Sequence, residues 1–578
     1  MTFKKLAKYF QKLESTSSRN TMVEILAQLF SEASFEEIDK VVYLTQGRVA
    51  PLYEPVEFQM AEKMVIRAMA LAFNTSIEEV TKNYKKTGDL GKTAEVLSSS
   101  WSEAIGSSNK NDSISRSAPS RMTVEKVFEQ LTEITKINGE GSVEKKIAYL
   151  AQILKDADPV SARYIARIPI DKMRLGFSDM TVLEGLSWMV CGAKKQKDKF
   201  ETAYNIRPDL GYIAKKVKEN NLAVEPAFGT PILVMRAERL TTADEILGKT
   251  GEKCAVEPKL DGLRTQLHFT KLPLIKLFSR GLEDVTTMYP DLVKAAGEEL
   301  NCDDVILDGE AIGFDPKTGK YLPFQETVQR KRKYEIEAFS QNVPLRLVVF
   351  DCLYFNGKSL ISEPYTRRRD IIEKLLKNSK LIVCTEMKVI TESADLDQYF
   401  EECVNKGLEG IVAKKLDGEY QAGARGWNWI KYKKSYSDKL SDTVDAVVMG
   451  IDFGQGKRNA FGVGAFLIGI YDPKSQTYKT ISKVGTGLTD EEWKALAVSG
   501  KQLGVGKKPT EYEVNKLMDC DLWFRPEMVG EFKADELTKS PMHTAGYALR
   551  FPRLVRWREK KPQDTTSLQE IAKLANLV

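Results

Sequence analysis

Apolar residues change their spacing twice along the chain, and these changes divide it into three parts. Over 1–222 they recur at the spacing of amphipathic helices, as in 22–30 (MVEILAQLF). Over 223–437 short apolar strands alternate with helices and end at Asp-Gly, Asn-Gly or Lys-Gly turns. Over 438–578 strands such as 466–471 (FLIGIY) are joined by glycine-rich turns. The pattern predicts an all-helical domain, a mixed α/β domain and a small β-barrel, in that order.

One stretch of the helical part lacks the helical pattern. Between Leu97 and Arg121 the chain is rich in serine and asparagine and has few large apolar residues. Such a composition can contribute little to a core, so it predicts an exposed loop between two helical subregions.

The most informative turn of the α/β part lies in 257–264 (EPKLDGLR), where Lys259 precedes Asp261-Gly262. The residues before the turn are mostly apolar, and 263–269 alternates in the period of a half-buried strand. Asp-Gly is typical of a hairpin-type turn, in which glycine permits positive φ and the close approach of a ligand. The pattern therefore places Lys259 at the mouth of a pocket, although such turns are about as often purely structural.

Length and charge give weaker indications of function. At 578 residues the chain is too long for one ordinary core, which favours three or four domains. The formal net charge of +5 is a weak sign of a polyanionic partner. Positive charge is concentrated in 330–333 (RKRK) and 550–561 (RFPRLVRWREKK), which could hold phosphates or could be solvated faces.

Several classes of site find no support in the sequence. The seven cysteines include no C-x-x-C pair, so neither a zinc cluster nor a disulfide framework is indicated, and a reducing compartment fits best. His268 and His543 are too few for a histidine-based metal site or triad. The GKT sequences at 91–93 and 248–250 lack the earlier glycine of a Walker A loop. No apolar run could span a bilayer and the N-terminus has no signal pattern, so we expect a soluble, cytoplasmic protein.

Basic residues in the same part of the chain could make Lys259 a nucleophile. Free lysine titrates near ~10.4 and is almost fully protonated at neutral pH. Cationic neighbours and a bound metal disfavour the ammonium form, and they also neutralise the charge of a phosphate under attack. Arg264, Arg280, Lys431 and Lys433 could supply that field.

Two glutamates are candidate ligands of a divalent cation. Glu310 and Glu409 each adjoin a glycine at a predicted strand end, where their carboxylates could share a cleft. Mg²⁺ prefers such oxygens and needs few protein ligands beside a nucleotide triphosphate. Taken singly, either glutamate is more often an exposed charge, and Phe350 is by default a core residue.

An ordered set of six motifs carries a resemblance to a known superfamily. The motifs are 257–264, 278–281 (FSRG), 305–310 (VILDGE), 347–351 (LVVFD), 408–414 (LEGIVAK) and Arg425 leading into 429–433 (WIKYK). The set resembles the covalent nucleotidyltransferases. The length, the helical first part and 550–553 (RFPR) are most similar to ATP-dependent DNA ligases of the archaeal and eukaryotic replicative type, and the resemblance covers nearly the whole chain.

The resemblance implies a multi-domain α and α+β architecture. It implies an all-helical DNA-binding domain over 1–222, a mixed α/β nucleotidyltransferase (adenylation) domain over 223–437, and an OB-fold β-barrel with a basic C-terminal segment over 438–578. Within the helical domain, 88–91 (GDLG) and 172–176 (KMRLG) match recurrent loops that could offer backbone N–H groups to DNA phosphates.

The resemblance also implies a role for each candidate residue. Lys259 would be the catalytic nucleophile. The implied nucleotide-binding residues are Glu257 at the adenine edge, Phe350 stacked on adenine, Arg264 and Arg280 at sugar or phosphate groups, Glu310 near ribose or metal, and Arg425, Lys431 and Lys433 toward the phosphates. The implied metal ligands are Glu310 and Glu409.

The implied activity is the sealing of nicks in duplex DNA during replication, repair and recombination, with ATP and Mg²⁺. Mn²⁺ as the metal, and NAD or ADP in place of ATP, stay open alternatives. We expect a monomer that binds nicked double-stranded DNA and no membrane. Recruitment by a sliding clamp is in doubt, since no Gln-and-aromatic peptide occurs near residue 100.

Two alternative hypotheses of function compete with nick sealing. An RNA ligase or a GTP-using capping enzyme would share the lysine turn, but the long helical part argues against both. A non-catalytic scaffold that clasps DNA would share the domains, and the intact Lys259 argues against it.

Overall fold

A computed structural model describes residues 1–108, 122–272, 274–332, 336–433, 443–454, 462–534 and 536–576. The chain forms two compact units, Met1–Lys433 and Lys434–Val578. The predicted domain boundary at 437 lies outside the described residues, and the three predicted domain ranges stay predictions.

The first part of the first unit is helical because its apolar stripes bury into one shared core, which includes Phe10, Leu26, Phe30 and Tyr164. Caps of the expected type begin several helices; the Asp158 side chain, for example, accepts from the Ser161 N–H ahead of Pro159. The helices are α1 (Phe3–Glu14), α2 (Arg19–Glu32), α3 (Ile38–Thr45), α4 (Glu62–Ala72), α5 (Ile77–Thr87), α6 (Leu90–Ser108), α7 (Val124–Lys136), α8 (Ser142–Asp156), α9 (Pro159–Arg167), α10 (Asp179–Cys191), α11 (Lys197–Ile206) and α12 (Leu210–Lys218).

Helix α6 occupies half of the stretch that the sequence predicts as a loop. Its serines bond back to the preceding turn, as Ser99 does to the Glu95 carbonyl at 2.9 Å, so they do not end the helix. The ring of Trp101 lies 6.3 Å from that of Phe73 and anchors the helix to the core. The loop prediction is therefore wrong up to Ser108, and its remainder at 109–121 lies outside the described residues.

The rest of the first unit contains two sheets with helices on their outer sides. Its elements are β1 (Arg236–Arg239), α13 (Ala243–Thr250), β2 (Cys254–Lys259), β3 (Leu263–Thr270), β4 (Leu274–Ser279), α14 (Pro290–Glu299), β5 (Asp304–Gly313), α15 (Phe324–Thr327), α16 (Ile336–Asn342), β6 (Leu345–Phe355), β7 (Lys358–Ser359), α17 (Tyr365–Leu375), β8 (Ile382–Cys384), β9 (Lys388–Ile390), α18 (Ser393–Asn405), β10 (Gly410–Lys415) and β11 (Arg425–Lys433). Sheet A has the order β1-β11-β10-β2-β9, and sheet B has the order β4-β3-β5-β6-β7 with β8 beside β6.

Each sheet buries one apolar face on its own core. In sheet A, Val256, Ile411 and Ile430 pack against α13 and α18. In sheet B, Leu267 and Leu307 pack in a core that also includes residues of α14 and α17. The opposite faces carry polar residues, and they meet each other.

The second unit is rich in β-structure. A curled sheet has the order β15-β17-β12-β13-β14-β16, with β18 pairing both β12 and β21, and β19 pairs β20 separately. Its elements are β12 (Val444–Phe453), β13 (Val463–Asp472), β14 (Thr477–Val484), α19 (Asp490–Leu503), β15 (Gly504–Val505), β16 (Tyr512–Glu513), β17 (Leu522–Phe524), β18 (Val529–Lys533), β19 (Glu536–Lys539), β20 (Tyr547–Arg550), β21 (Arg553–Arg558) and α20 (Leu568–Asn576). This architecture confirms the predicted order of a helical, an α/β and a β-barrel part along the chain. No helix in the described ranges is long and apolar enough to cross a membrane.

Candidate active site between two sheets

Lys259 lies at the end of β2, where the chain passes from sheet A to sheet B. The predicted hairpin turn is wrong, because β2 and β3 belong to different sheets. Gly262 does not have positive φ; instead, a Cβ there would lie 2.7 Å from the Ala311 carbonyl oxygen and 3.0 Å from Glu310 Cγ. Glycine is therefore required for the close approach of β5, which brings Glu310 toward the lysine.

Strand register gathers the charged residues of sheet A on one face. Lys259 pairs with Gly410, which pairs with Lys433, and Glu257 and Lys431 both pair with Val412. Register neighbours and alternate residues point to the same side of a sheet. The predicted residues Glu257, Lys259, Lys431 and Lys433 therefore share one face, and the apolar residues between them face α13 and α18.

The amine of Lys259 forms an ion pair with the carboxylate of Glu409, and the two side chains are 26% and 16% exposed. The Glu409 N–H also donates to the Lys259 carbonyl at 3.2 Å. Glu409 directly precedes β10, as predicted, and its position beside Lys259 follows from the pairing of β10 with β2.

Glu310 faces the same region from sheet B, opposite Arg264 in the register. It lies within β5 rather than at the predicted strand end, and no donor in the described part of the chain reaches its carboxylate. Burial raises the pKa of Glu310 to about 7, against the opposing effect of Lys259 and Arg264. Its carboxylate is thus held near the lysine amine without a hydrogen-bond partner of its own.

Phe350 points between the sheets because the strand alternates: Leu347 and Val349 face the core of sheet B, whereas Phe350 lies on the side of Val348, the register partner of Glu310. In the β5–β6 register Asp308 pairs with Asp351 and Gly309 with Val349, so Phe350 has no partner. The β-bulge at this point leaves the Phe350 backbone outside the regular ladder. The half-buried ring makes an edge contact with Trp429 of sheet A, with the ring centroids 5.7 Å apart.

Arg264 is held in place by protein groups. Its guanidinium makes a two-pronged contact with Asp308, at 3.1 and 2.7 Å, and donates to the Met235 carbonyl at 2.7 Å. It also lies 5.3 Å from the centre of the Phe350 ring. Much of its hydrogen-bonding capacity is used inside the protein, so it supports the Phe350 ring as well as supplying positive charge.

Glu257 lies at the bottom of the same face, 2% exposed. Its Oε1 accepts from the Tyr365 hydroxyl and from Arg369 at 3.4 Å, and its Oε2 lies 2.8 Å from Lys414 Nζ. Sequence reasoning missed Tyr365, Arg369 and Lys414. The signal for Lys414 lies in 408–414 itself, where it alternates with Gly410 and Val412 on the polar face.

The remaining predicted cations lie at the rim of this face. Lys431 has its pKa lowered by burial and by the positive charges of Arg425, Lys433, Lys259 and Arg239. Arg425 is exposed at the start of β11. Arg280 is exposed in the turn after β4, and no ion pair reaches it from the described residues. Lys431, Lys433 and Arg425 thus lie on β11, which is separated from β2, the strand of Lys259, by β10.

The basic runs are less available than the sequence suggests. Arg330 is buried, where it bonds Asp291 and the Val343 carbonyl, each at 2.8 Å, and Lys331 pairs with Glu283. In the second unit Arg556 pairs with Glu531 at 2.7 Å, and Lys560 with Asp445 at 2.9 Å. Lys333 lies outside the described residues.

The two glycine-containing loops of the helical part contact each other through Asp89. The Asp89 carboxylate is buried and pairs with Arg167 at 2.6 Å and with Arg174 at 3.1 Å. Arg174 also donates to the Gly88 carbonyl at 3.2 Å. The loops at 88–91 and 172–176 therefore form one surface, although they are far apart in sequence.

Family models match three stretches that together span most of the chain. A DNA ligase N terminus matches residues 2–187, an ATP dependent DNA ligase domain matches 234–433, and an ATP dependent DNA ligase C terminal region matches 459–561.

Relatives match over nearly their full length. A probable DNA ligase of Dictyoglomus turgidum is 42% identical, covering 99% of this chain and 97% of its own. DNA ligase 2 of Thermofilum pendens is 41% identical, covering 98% and 96%. A solved structure described as Pmar-Lig_Pre covers 96% of this chain and 99% of its own with a TM-score of 0.52 at 16% identity, a likeness of fold. The chain therefore belongs to the ATP-dependent DNA ligases, enzymes that seal nicks in DNA by forming phosphodiester bonds.

Proposed function

We propose that Lys259 is the nucleophile of this ligase. The observation that carries the proposal is its position at the junction of two polar sheet faces, beside Glu409 and Glu310 and on the same face as Lys431 and Lys433. The Lys259 amine, once released from its ion pair with Glu409 and deprotonated from the ammonium form, attacks the α-phosphorus of ATP. The new N–P bond replaces the bond to the bridging oxygen, and pyrophosphate leaves with its electron pair.

Two further transfers complete the reaction. A 5′-phosphate oxygen at the nick attacks the phosphorus of the lysyl-AMP, so the P–N bond breaks and the lysine amine is restored. The adjacent 3′-hydroxyl, losing its proton, then attacks the 5′-phosphorus and AMP leaves. Lys431, Lys433 and Arg425 are suited to hold the phosphates, since charge stabilisation carries much of the rate in such transfers.

Phe350 and Glu257 are suited to hold adenine. The Phe350 ring lies between the sheets, where a purine can stack on it. The ionised Glu257 carboxylate can only accept hydrogen bonds, and the 6-amino group of adenine is a donor. Arg280, exposed at the end of β4, and Arg264 would lie toward the sugar or the phosphates.

Glu310 and Glu409 are the residues that would hold Mg²⁺ or Mn²⁺. The Glu310 carboxylate has no donor partner in the described ranges, and these ranges contain no cluster of three or more metal-ligating side chains. A hard cation that keeps most of its waters and binds triphosphate oxygens fits this small donor set. When bound, it would neutralise charge on the triphosphate. Drawing Glu409 toward the cation would release the Lys259 amine.

The proposed DNA partner is a nicked duplex, bound by a monomer mostly through its phosphates, because a ligase must act at any sequence. The loop surface around Asp89 is the part of the helical domain proposed to contact the backbone. Use of a sliding clamp is not part of the proposal.

The test is transfer of label from ATP labelled at the α-phosphate to the denatured protein in the presence of Mg²⁺. We expect label on the wild type and none on Lys259→Ala. Lys253→Ala, which removes an exposed lysine just before β2, is the matched control and should label normally. Any AMP already bound must first be removed with pyrophosphate.

Parallel reactions separate the competing enzyme classes. GTP and NAD replace ATP in the labelling, and RNA ends replace nicked DNA in the sealing reaction. Label on Lys259→Ala, or preferred use of GTP or RNA ends, would contradict the proposal.

A further inference from the structure

Lys414 is a deeply buried cation beside the proposed nucleotide site, and none of the steps above uses it. Its side chain is 2% exposed. Its Nζ lies 2.8 Å from Glu257 Oε2 and donates to the Phe350 carbonyl at 2.7 Å. An ammonium group so deeply buried is costly unless its partners are well placed, so its position needs an explanation.

The two partners of Lys414 belong to different sheets. Lys414 and Glu257 lie on β10 and β2 of sheet A, whereas Phe350 lies on β6 of sheet B. The bond to the Phe350 carbonyl is made at the bulge that leaves Phe350 without a register partner. Lys414 therefore connects the Phe350 backbone in sheet B to the Glu257 carboxylate in sheet A.

Aromatic rings and a further cation fix the arrangement around this contact. Lys414 Nζ lies 4.5 Å from the centre of the Trp429 ring, 4.7 Å from Tyr365 and 5.1 Å from Phe350. Glu257 also accepts from Tyr365 and Arg369. These donors match an ionised carboxylate, and a carboxylate has about four acceptor positions, so one stays available to a ligand.

We propose that Lys414 is a positioning residue for base selection: by joining Glu257 to the Phe350 backbone, it fixes the distance between the base-reading carboxylate and the stacking ring. This arrangement favours a 6-aminopurine nucleotide, whose amino group donates to Glu257. A 6-oxopurine turns a carbonyl oxygen toward the carboxylate, so two acceptors face each other. The inference rests on the proposed roles of Glu257 and Phe350.

The test compares ATP with ITP, which differs from ATP in carrying a 6-oxo group in place of the 6-amino group. Both are labelled at the α-phosphate, and the rate of label transfer to Lys259 is measured over a range of nucleotide concentrations. In Lys414→Met we expect the ratio of efficiency with ATP to that with ITP to fall by about tenfold or more.

Three further variants make the result interpretable. Lys415→Met changes the neighbouring lysine, which points to the other side of β10 and pairs with Asp417 at 3.5 Å, and it should keep the wild-type ratio. Glu257→Gln can donate to a 6-oxo group and should shift the ratio toward ITP. Lys414→Gln loses the charge but keeps a donor, so it serves if Lys414→Met does not fold, with the same direction of change expected.

Each outcome is decisive. A folded Lys414→Met or Lys414→Gln that loses activity equally with both nucleotides, and so keeps the wild-type ratio, overturns the positioning role and leaves the proposed function intact. An unchanged ratio in Glu257→Gln would show that Glu257 does not read the base, and it would overturn this inference as well. Absence of label on the wild type overturns the proposed function itself.

Discussion

Phe350 shows how strand alternation places an aromatic residue of an apolar strand outside the core. The residue is on an apolar strand, and it alternates with Leu347 and Val349, which face the core, so its ring faces the space between the sheets. Replacing it with leucine keeps an apolar side chain but removes the ring. Because stacking on a base contributes about 1–3 kcal/mol, Phe350→Leu should weaken ATP binding by roughly 5- to 150-fold.

Equilibrium binding of ATP, measured by calorimetry, checks this expectation, with Phe350→Tyr as the variant that keeps a ring and should stay near the wild type. Thermal unfolding of both variants shows whether packing has changed. Wild-type affinity in a folded Phe350→Leu would mean that the ring packs against protein and not against the base.

His268 gives a prediction about pH. It is fully buried in β3, its Nε2 lies 2.9 Å from Gln266 Oε1, and burial lowers the pKa of His268 to about 3. The unfolded chain binds this proton near its ordinary pKa of about 6.5, so the folded state is progressively disfavoured as the pH falls from there toward 3.

The free energy of unfolding should therefore be constant for this group above about pH 6.5 and decrease below it. Urea unfolding at several pH values checks this, and His268→Phe should show a smaller decrease on acidification than the wild type. An equal decrease in both proteins would assign the acid sensitivity to other groups.

The sequence predicts the candidate residues better than their partners. Lys259, Glu409, Lys431 and Lys433 meet because the register of three strands in sheet A brings them together. Sequence indicated their types and order, but it contained no signal for Tyr365 and Arg369, since these side chains reach Glu257 from α17, more than a hundred residues along the chain.

At the scale of elements, Gly91 and Gly248 form a natural pair, because both lie in helices and neither has positive φ. A Cβ at Gly91 would lie 2.5 Å from the Arg163 carbonyl oxygen, where α6 crosses α9, whereas nothing lies within 4 Å at Gly248. Gly91→Ala should lower stability by about 1–3 kcal/mol through overpacking. Gly248→Ala should raise it by about 0.5–1 kcal/mol, since alanine favours a helix.

Thermal unfolding of the two variants beside the wild type checks these opposite signs. The GKT sequence is the same at 91–93 and 248–250, so the comparison isolates the surroundings of the glycine. Equal shifts would show that helix propensity, and not the crossing of α6 and α9, determines the outcome at Gly91.

The sequence predicts secondary-structure elements correctly where their pattern is local. The predictions are wrong where a distant element determines the burial or the pairing of a segment. The strand at 263–269 was predicted as half-buried, but the segment before β1 covers its polar face: Gln266 bonds the Ile232 backbone and Phe228 contacts the His268 ring, so Gln266 and His268 are buried as well. The turn at Asp261-Gly262 resembles a hairpin turn, yet β5 and β10 take the neighbouring strands into different sheets. The helix α6 continues into serine-rich sequence because its side chains bond to its own backbone.

At the scale of the whole molecule, the net charge of +5 understates how the protein can bind DNA. The basic runs are partly neutralised by Asp291, Glu531 and Asp445, so binding must draw on cations spread over several domains. Each phosphate contact releases counterions, and a protein making 6–10 such contacts loses about 10³- to 10⁵-fold in affinity between about 50 and 200 mM salt.

We therefore expect the affinity for a nicked duplex to decrease by that order, with a linear dependence of log affinity on log salt concentration and the same slope for unrelated sequences. Fluorescence anisotropy with labelled nicked duplexes, in the absence of ATP, measures the slope. The proposed labelling of Lys259 by ATP would use a site between the two sheets and should change much less over the same range, which makes it the internal control. A shallow slope for DNA, or a slope that varies with sequence, would replace extended backbone binding with contacts confined to the nick or to particular bases.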